Sequence, residues 1–181
     1  MANIITALRL LLVPVFLFFI LTGGKNHETV ALAIFLLAAG TDFIDGYIAR
    51  TTRQITEFGR MIDPIADWAL IIAALFGLLY LNVIPLWAFV LLMIRDGVLA
   101  AGHIVLRIMK KHIVHVNLFG KVTSFLLMIS ICALLFQAAY LTISTFIWPF
   151  YATVLLYMVS GLVYIVHQAG SISSDLKGGR T

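Results

Sequence analysis

Six apolar runs account for most of this chain: residues 4–21, 30–49, 61–80, 84–108, 118–140 and 143–167. Each is close to the roughly 20 residues with which a helix crosses a hydrocarbon layer of about 30 Å. Backbone N–H and C=O groups find no partner in lipid, so a spanning segment must be a helix or part of a closed barrel. These runs are continuously apolar rather than alternating, which is the pattern of a helix. With 62% of residues hydrophobic and only 11% charged, the chain cannot furnish the polar surface of a water-soluble domain. The expectation is an all-α integral membrane protein of six transmembrane helices. It forms one membrane domain over residues 1–170 and a short polar tail over 171–181.

Arg9 followed by an apolar stretch resembles a signal peptide, but no small-residue cleavage site follows, so the segment reads as a retained first helix. Pro85 and Pro149 fall close to helix starts, whereas Pro14 falls inside the first helix. Basic residues are unevenly placed. Arg50, Arg53 and Arg60 lie around one connection, Arg107, Lys110, Lys111 and Lys121 around another, and Lys177 and Arg180 at the end. The intervening connections offer only Lys25. By the positive-inside rule, both termini and the two basic connections are cytoplasmic. Such a surface attracts anionic membrane lipids at about 1 kcal/mol per basic residue. Nucleic acid is not an expected partner, because the charges sit in short connections between helices. Cys132 stands alone, so there is no disulfide framework.

Against this background, four carboxylates are out of place: Asp42, Asp45, Asp63 and Asp67. Only 11 residues, 30–40, precede this acidic stretch in the second run, about 16 Å at the helical rise. An ionised carboxylate at such depth costs at least a few kcal/mol unless it is paired or binds metal. Positions 42, 45 and 49 share one helix face, and 63 and 67 share another. The polar link 51–60 brings the two helices back antiparallel with their acidic ends adjacent. Gly46 and Ala49 keep the first face free of bulk. All-oxygen ligands without His or Cys favour Mg²⁺ or Mn²⁺, ions that bridge diphosphates and stabilise a phosphoryl group in transfer. A carboxylate not fully engaged by metal can take a proton from a hydroxyl. The other class open to such a cluster is a small cation transporter. Arg50 and Gly46 discriminate, since a transporter needs no diphosphate clamp. An intramembrane prenyltransferase is a third possibility, though those need more helices.

The pattern Asp42-x2-Asp45-Gly46-x2-Ala49-Arg50-x8-Gly59-x3-Asp63-x3-Asp67 resembles, without departure, the signature of the CDP-alcohol phosphotransferase family, also called CDP-alcohol phosphatidyltransferases. Asn3, Thr6 and Arg9 resemble that family's N-terminal element, with Ala2 where proline is usual. The resemblance implies that Asp42, Asp45, Asp63 and Asp67 hold two divalent ions and that Asp67 is also the general base. It implies a CDP-lipid site made by Asp45, Gly46, Ala49, Arg50 and Gly59, with Arg50 on the diphosphate. The acceptor hydroxyl then attacks the β-phosphorus of CDP-diacylglycerol and CMP leaves. A homodimer and an active site at the cytoplasmic side of a bacterial cell membrane are implied as well.

The acceptor is less constrained. Size and the DPIAD stretch resemble the bacterial phosphatidylglycerophosphate synthases, which use glycerol 3-phosphate, but Trp68 stands where Lys is usual there. The IPLW stretch, Arg95–Asp96 and Gly120–Lys121 resemble cardiolipin synthases of the CDP-alcohol type, whose acceptor is phosphatidylglycerol. Arg95 lies about 16 Å along its run, deep enough to require a partner. Asp96, adjacent on a helix, points elsewhere and is not expected simply to neutralise it. Arg95 either faces an acceptor phosphate or ties two helices together; with Lys121 and Arg107 it is a candidate acceptor contact. Lys110 and Lys111 read as solvated. His103, His112 and His115 lack a matching carboxylate and read as a solvated face rather than a zinc site. Trp87, Trp148, Phe150 and Tyr151 read as an interfacial belt.

Overall fold

The computed structural model describes the backbone of residues 2–24, 26–52, 57–108, 118–141 and 145–178, and the side chains of 8–24, 26–41, 66–102, 118–141 and 145–168. Among the described residues every regular element is a helix: α1 (Ala2–Thr22), α2 (His27–Thr52), α3 (Glu57–Tyr80), α4 (Leu86–Ile108), α5 (Leu118–Tyr140) and α6 (Ile147–Gly178). The six runs therefore became six helices, with shifted ends. The second and third helices extend into the polar link, to Thr52 and from Glu57. The helix expected from residue 84 starts at Leu86, where the Pro85 carbonyl accepts from the amides of Ala88 and Phe89 at 3.1 and 3.4 Å. Pro85 lacks an N–H and so sits naturally at such a start. The last helix begins at Ile147 rather than 143 and continues through the polar tail to Gly178. Pro14 lies inside α1, which runs on past it.

Leu118–Tyr140 and Ile147–Gln168 are long and apolar enough to cross a membrane. The apolar stretches Leu8–Thr22, His27–Thr41 and Ala66–Tyr80 are shorter. Every helix exposes large apolar side chains, among them Phe18, Leu37, Phe76, Val98, Phe125 and Leu162. Two helices of spanning length, with apolar side chains exposed along every helix, are features of a membrane protein.

The chain forms two compact units, Met1–Ile84 with Ile131–Ile147, and Pro85–Ser130 with Trp148–Thr181. In the first unit, ring contacts set helix directions. Phe19 meets His27 with centroids 5.5 Å apart and Phe16 meets Phe35 at 6.2 Å, so α1 and α2 run antiparallel. Arg9 meets Asp67, and the Ile20 side chain packs on Gly77, so α1 and α3 run parallel. It follows that α2 and α3 are antiparallel, as the sequence suggested. The turn between α1 and α2 uses left-handed backbone at Gly23 (φ 54°) and Asn26 (φ 73°); that after α3 uses Asn82 (φ 57°). Glycine and asparagine are the residues that adopt this conformation with least strain. Phe16, Phe35, Ala38, Ala74, Leu75 and Leu78 are fully buried in this unit.

The buried stripe of α6 in the second unit is Phe150, Thr153, Val154, Tyr157 and Ser160, at helical spacing. Phe150 is therefore a core residue, not a member of the interfacial belt to which its neighbours Trp148 and Tyr151 suggested it belongs. Exposed Trp87 and Trp148 do flank Tyr151, at ring-centroid distances of 5.4 and 6.0 Å.

Candidate functional site

Helix α2 carries Asp42, Asp45, Gly46, Ala49 and Arg50; α3 carries Gly59, Asp63 and Asp67. Both backbones are helical through these positions, so the i, i+3, i+7 and i, i+4 spacings put the acidic positions of each helix on one face. Asp42 lies about 22 Å from the start of α2 at His27, and Asp67 about 20 Å from the end of α3 at Tyr80. In an antiparallel pair, those distances bring the two positions to a similar depth. The side chains of Asp42, Asp45, Ala49, Arg50 and Asp63, like the surroundings of Gly46 and Gly59, lie outside the described residues. So do the side chains of Arg107 and His103, and the whole of Lys110, Lys111, His112 and His115.

Asp67 is the signature side chain the structure does describe. Its Oδ1 accepts from Nη1 of Arg9, an arginine that is 2% exposed while the Asp67 side chain is 42% exposed. Arg9 lies seven residues before Phe16, and position 42 lies seven after its partner Phe35; both are about 10 Å along their helices. Arg9, Asp67 and backbone position 42 thus share one level of the first unit. Sequence reasoning placed Arg9 in an N-terminal element but not at the site. The available signal was a lone arginine inside an apolar run, which must find a partner before it can be buried. Ala66 beside Asp67 is fully buried, and Trp68 on its other side is 46% exposed.

In the second unit the candidate acceptor contacts separate. Lys121 is exposed on α5. Arg95 of α4 is mostly buried, and its Nη1 donates to Asp96 Oδ1 at 2.9 Å, so the two adjacent residues do neutralise each other. The expectation that they point apart fails because an arginine side chain is long enough to reach round the helix to its neighbour. Tyr157 of α6 joins them: its hydroxyl donates to Asp96 Oδ1 at 3.0 Å, and its ring centroid lies 3.8 Å from the Arg95 guanidinium carbon. Arg95 Nη2 also donates to Ser160 Oγ at 3.2 Å, and Thr123 of α5 donates to the same hydroxyl at 3.0 Å. Gly161 leaves room for the arginine stem, since a Cβ there would lie 3.0 Å from Arg95 Nε. The arrangement is a compensated charge network linking three helices.

A family model described as CDP-alcohol phosphatidyltransferase matches residues 1–172. A protein of Mycobacterium tuberculosis named probable phosphatidylglycerophosphate synthase is 40% identical over 134 residues, covering 72% of this chain and 63% of the relative. The Streptomyces coelicolor protein named cardiolipin synthase (CMP-forming) is 32% identical over 186 residues, covering 96% of this chain and 85% of that one. A Bacillus subtilis protein named CDP-diacylglycerol–glycerol-3-phosphate 3-phosphatidyltransferase is 31% identical over 145 residues, 74% of this chain and 75% of its own. The match thus spans less than two thirds of the mycobacterial relative's length.

Proposed function

The chain belongs to the CDP-alcohol phosphatidyltransferase family, and from that premise we propose that it transfers the phosphatidyl group of CDP-diacylglycerol to glycerol 3-phosphate in phospholipid biosynthesis. The observation that carries this reading is the aspartate signature on α2 and α3 inside a family match over residues 1–172. Glycerol 3-phosphate is preferred because the Bacillus relative is named for it and the mycobacterial one for its product. With the family shown, cation transport and prenyl transfer lose their ground.

The donor set suits divalent metal. Four carboxylates without His or Cys are hard-ion ligands, and Asp67 Oδ1 already accepts a cationic group, the Arg9 guanidinium. Asp42, Asp45, Asp63 and Asp67 would hold two Mg²⁺ or Mn²⁺ ions, which supply charge stabilisation for the diphosphate. Asp45, Gly46, Ala49 and Gly59 receive the CDP moiety, and Arg50 contacts the diphosphate. Asp67 takes the proton from the acceptor hydroxyl as its oxygen bonds to the β-phosphorus. The bond from that phosphorus to the CMP oxygen breaks, and CMP leaves with the electron pair. Arg95, Lys121 and Arg107 are the acceptor contacts in this reading. The protein is a multi-pass homodimer of six spans per chain in a bacterial cell membrane. Both termini and the active site face the cytoplasm, as the basic connections require.

A second acceptor, phosphatidylglycerol, is favoured by one observation: Trp68, half exposed beside Asp67, replaces the lysine usual in glycerol-phosphate enzymes with an apolar surface suited to a lipid. The Streptomyces relative matched over 96% of this chain is named for cardiolipin synthesis. Purified protein with Mn²⁺ and CDP-diacylglycerol, offered glycerol 3-phosphate, phosphatidylglycerol, inositol phosphate and serine together, decides by mass spectrometry of the products. Phosphatidylglycerophosphate with stoichiometric CMP is the expected result. Cardiolipin in its place moves the assignment to the second acceptor, and no CMP with any acceptor refutes the enzyme.

A further inference from the structure

Arg9 is the most buried ionisable side chain described in the first unit, and it touches a residue of the proposed reaction centre. At 2% exposure its charge is cut off from solvent, and a guanidinium in that position persists only against an anion. Asp67 supplies the anion, yet its own side chain is 42% exposed. Arg9 thus approaches from the packed interior through Oδ1, while the Asp67 side chain as a whole stays partly accessible.

The packing explains how the contact is fixed. Helices α1 and α3 run parallel and are keyed together beyond the ion pair, where a Cβ at Gly77 would lie 3.0 Å from both Cγ1 and Cγ2 of Ile20. Such close approach leaves little freedom for one helix to slide on the other. Phe16, between the two points, and Ile20, at the second, are buried at 0% and 1% exposure. The base of the Arg9 side chain is thus held relative to α3, and the planar guanidinium fixes the orientation of the carboxylate it binds.

We propose that Arg9 is the positioning residue for Asp67: its buried guanidinium orients the carboxylate through Oδ1, while the partly exposed side chain stays accessible to the acceptor hydroxyl. This rests on the phosphatidyl-transfer reading above, in which Asp67 takes the proton. Removing the outer partners that orient a metal-ligating group typically costs about 10- to 100-fold in metal affinity or activity; Arg9 is itself a cation, so here the loss falls on activity. Arg9 acts through Asp67, so its loss slows turnover without weakening recognition of the CDP-lipid.

The test uses the full chain in detergent micelles, as wild type, Arg9→Gln and Arg9→Lys. CMP release gives kcat and the KM for CDP-diacylglycerol, and electron paramagnetic resonance gives binding of Mn²⁺ alone. Arg9→Gln should lower kcat about tenfold or more, with that KM changed less than about threefold. Its Mn²⁺ affinity should equal or exceed that of wild type, since a neighbouring cation has been removed. Arg9→Lys, which keeps the charge, should retain more turnover than Arg9→Gln. The proposal is overturned by a fall in kcat below fivefold, by equal losses in both variants, or by joint loss of folded protein and Mn²⁺ binding. That last result would make Arg9 a purely structural residue. Absence of CMP release in wild type instead refutes the phosphatidyl-transfer reading itself.

Discussion

Tyr157 offers a measurement of how the second unit tolerates a buried charge pair. Two contacts with the Arg95–Asp96 pair meet in this one side chain, which is 6% exposed. Its hydroxyl donates to Asp96 at 3.0 Å, and its ring lies 3.8 Å from the Arg95 guanidinium carbon. Tyr157→Phe removes the first and keeps the second. A hydrogen bond to a charged group is worth about 1.5–3 kcal/mol in soluble proteins, but polar contacts between membrane helices average about 0.6 and reach about 1.7 kcal/mol. Asp96 also keeps Arg95 at 2.9 Å, so it is not orphaned. The smaller scale applies, and the expected loss is about 1 kcal/mol. Tyr157→Leu removes the ring as well. A desolvated cation–π contact contributes about 2 kcal/mol, and the space left by the ring adds a packing loss. The total is about 3 kcal/mol or more. Reversible unfolding in mixed detergent micelles titrated with dodecyl sulfate measures both. If the two substitutions cost the same, the ring contributes nothing to holding Arg95 and the network argument is wrong. A Phe variant as stable as wild type would equally remove the Tyr157–Asp96 bond from the account.

Asp67→Asn should abolish CMP release while the protein still binds CDP-diacylglycerol; near-normal turnover would remove the residue from proton transfer. Arg95→Ala should raise the KM for a phosphorylated acceptor far more than that for the CDP-lipid, read from steady-state kinetics. An unchanged acceptor KM together with lowered stability would leave Arg95 as a tie between helices. Gly77→Leu should destabilise the first unit by about 1–3 kcal/mol through overpacking against Ile20, detected as an earlier unfolding midpoint. A variant as stable as wild type would show that α1 and α3 are not held as closely as the 3.0 Å approach indicates.

The six helices, and the helix faces that carry the four aspartates, were legible in the amino-acid sequence. Runs of about 20 apolar residues in a chain with 11% charge leave the backbone no choice but to satisfy its hydrogen bonds within each segment. The spacing of Asp42, Asp45, Asp63 and Asp67 places them on two helix faces whatever the surrounding packing. Helix ends were less legible, because the link around 51–60 and the tail after 170 are polar yet continue as helix, to Thr52 and Gly178. Polarity marks where lipid stops, not where helical hydrogen bonding stops.

Only the tertiary structure decided who meets whom across long separations in the chain. The Arg9–Asp67 pair spans 58 residues, and the parallel run of α1 on α3 that creates it has no local signature. The same holds for Arg95, whose adjacency to Asp96 suggested divergence until Tyr157, 61 residues from Asp96, showed where both side chains turn. Helical periodicity fixes the face from which a side chain leaves. Where a long side chain such as arginine ends depends on which opposite charge the packed bundle brings within its reach.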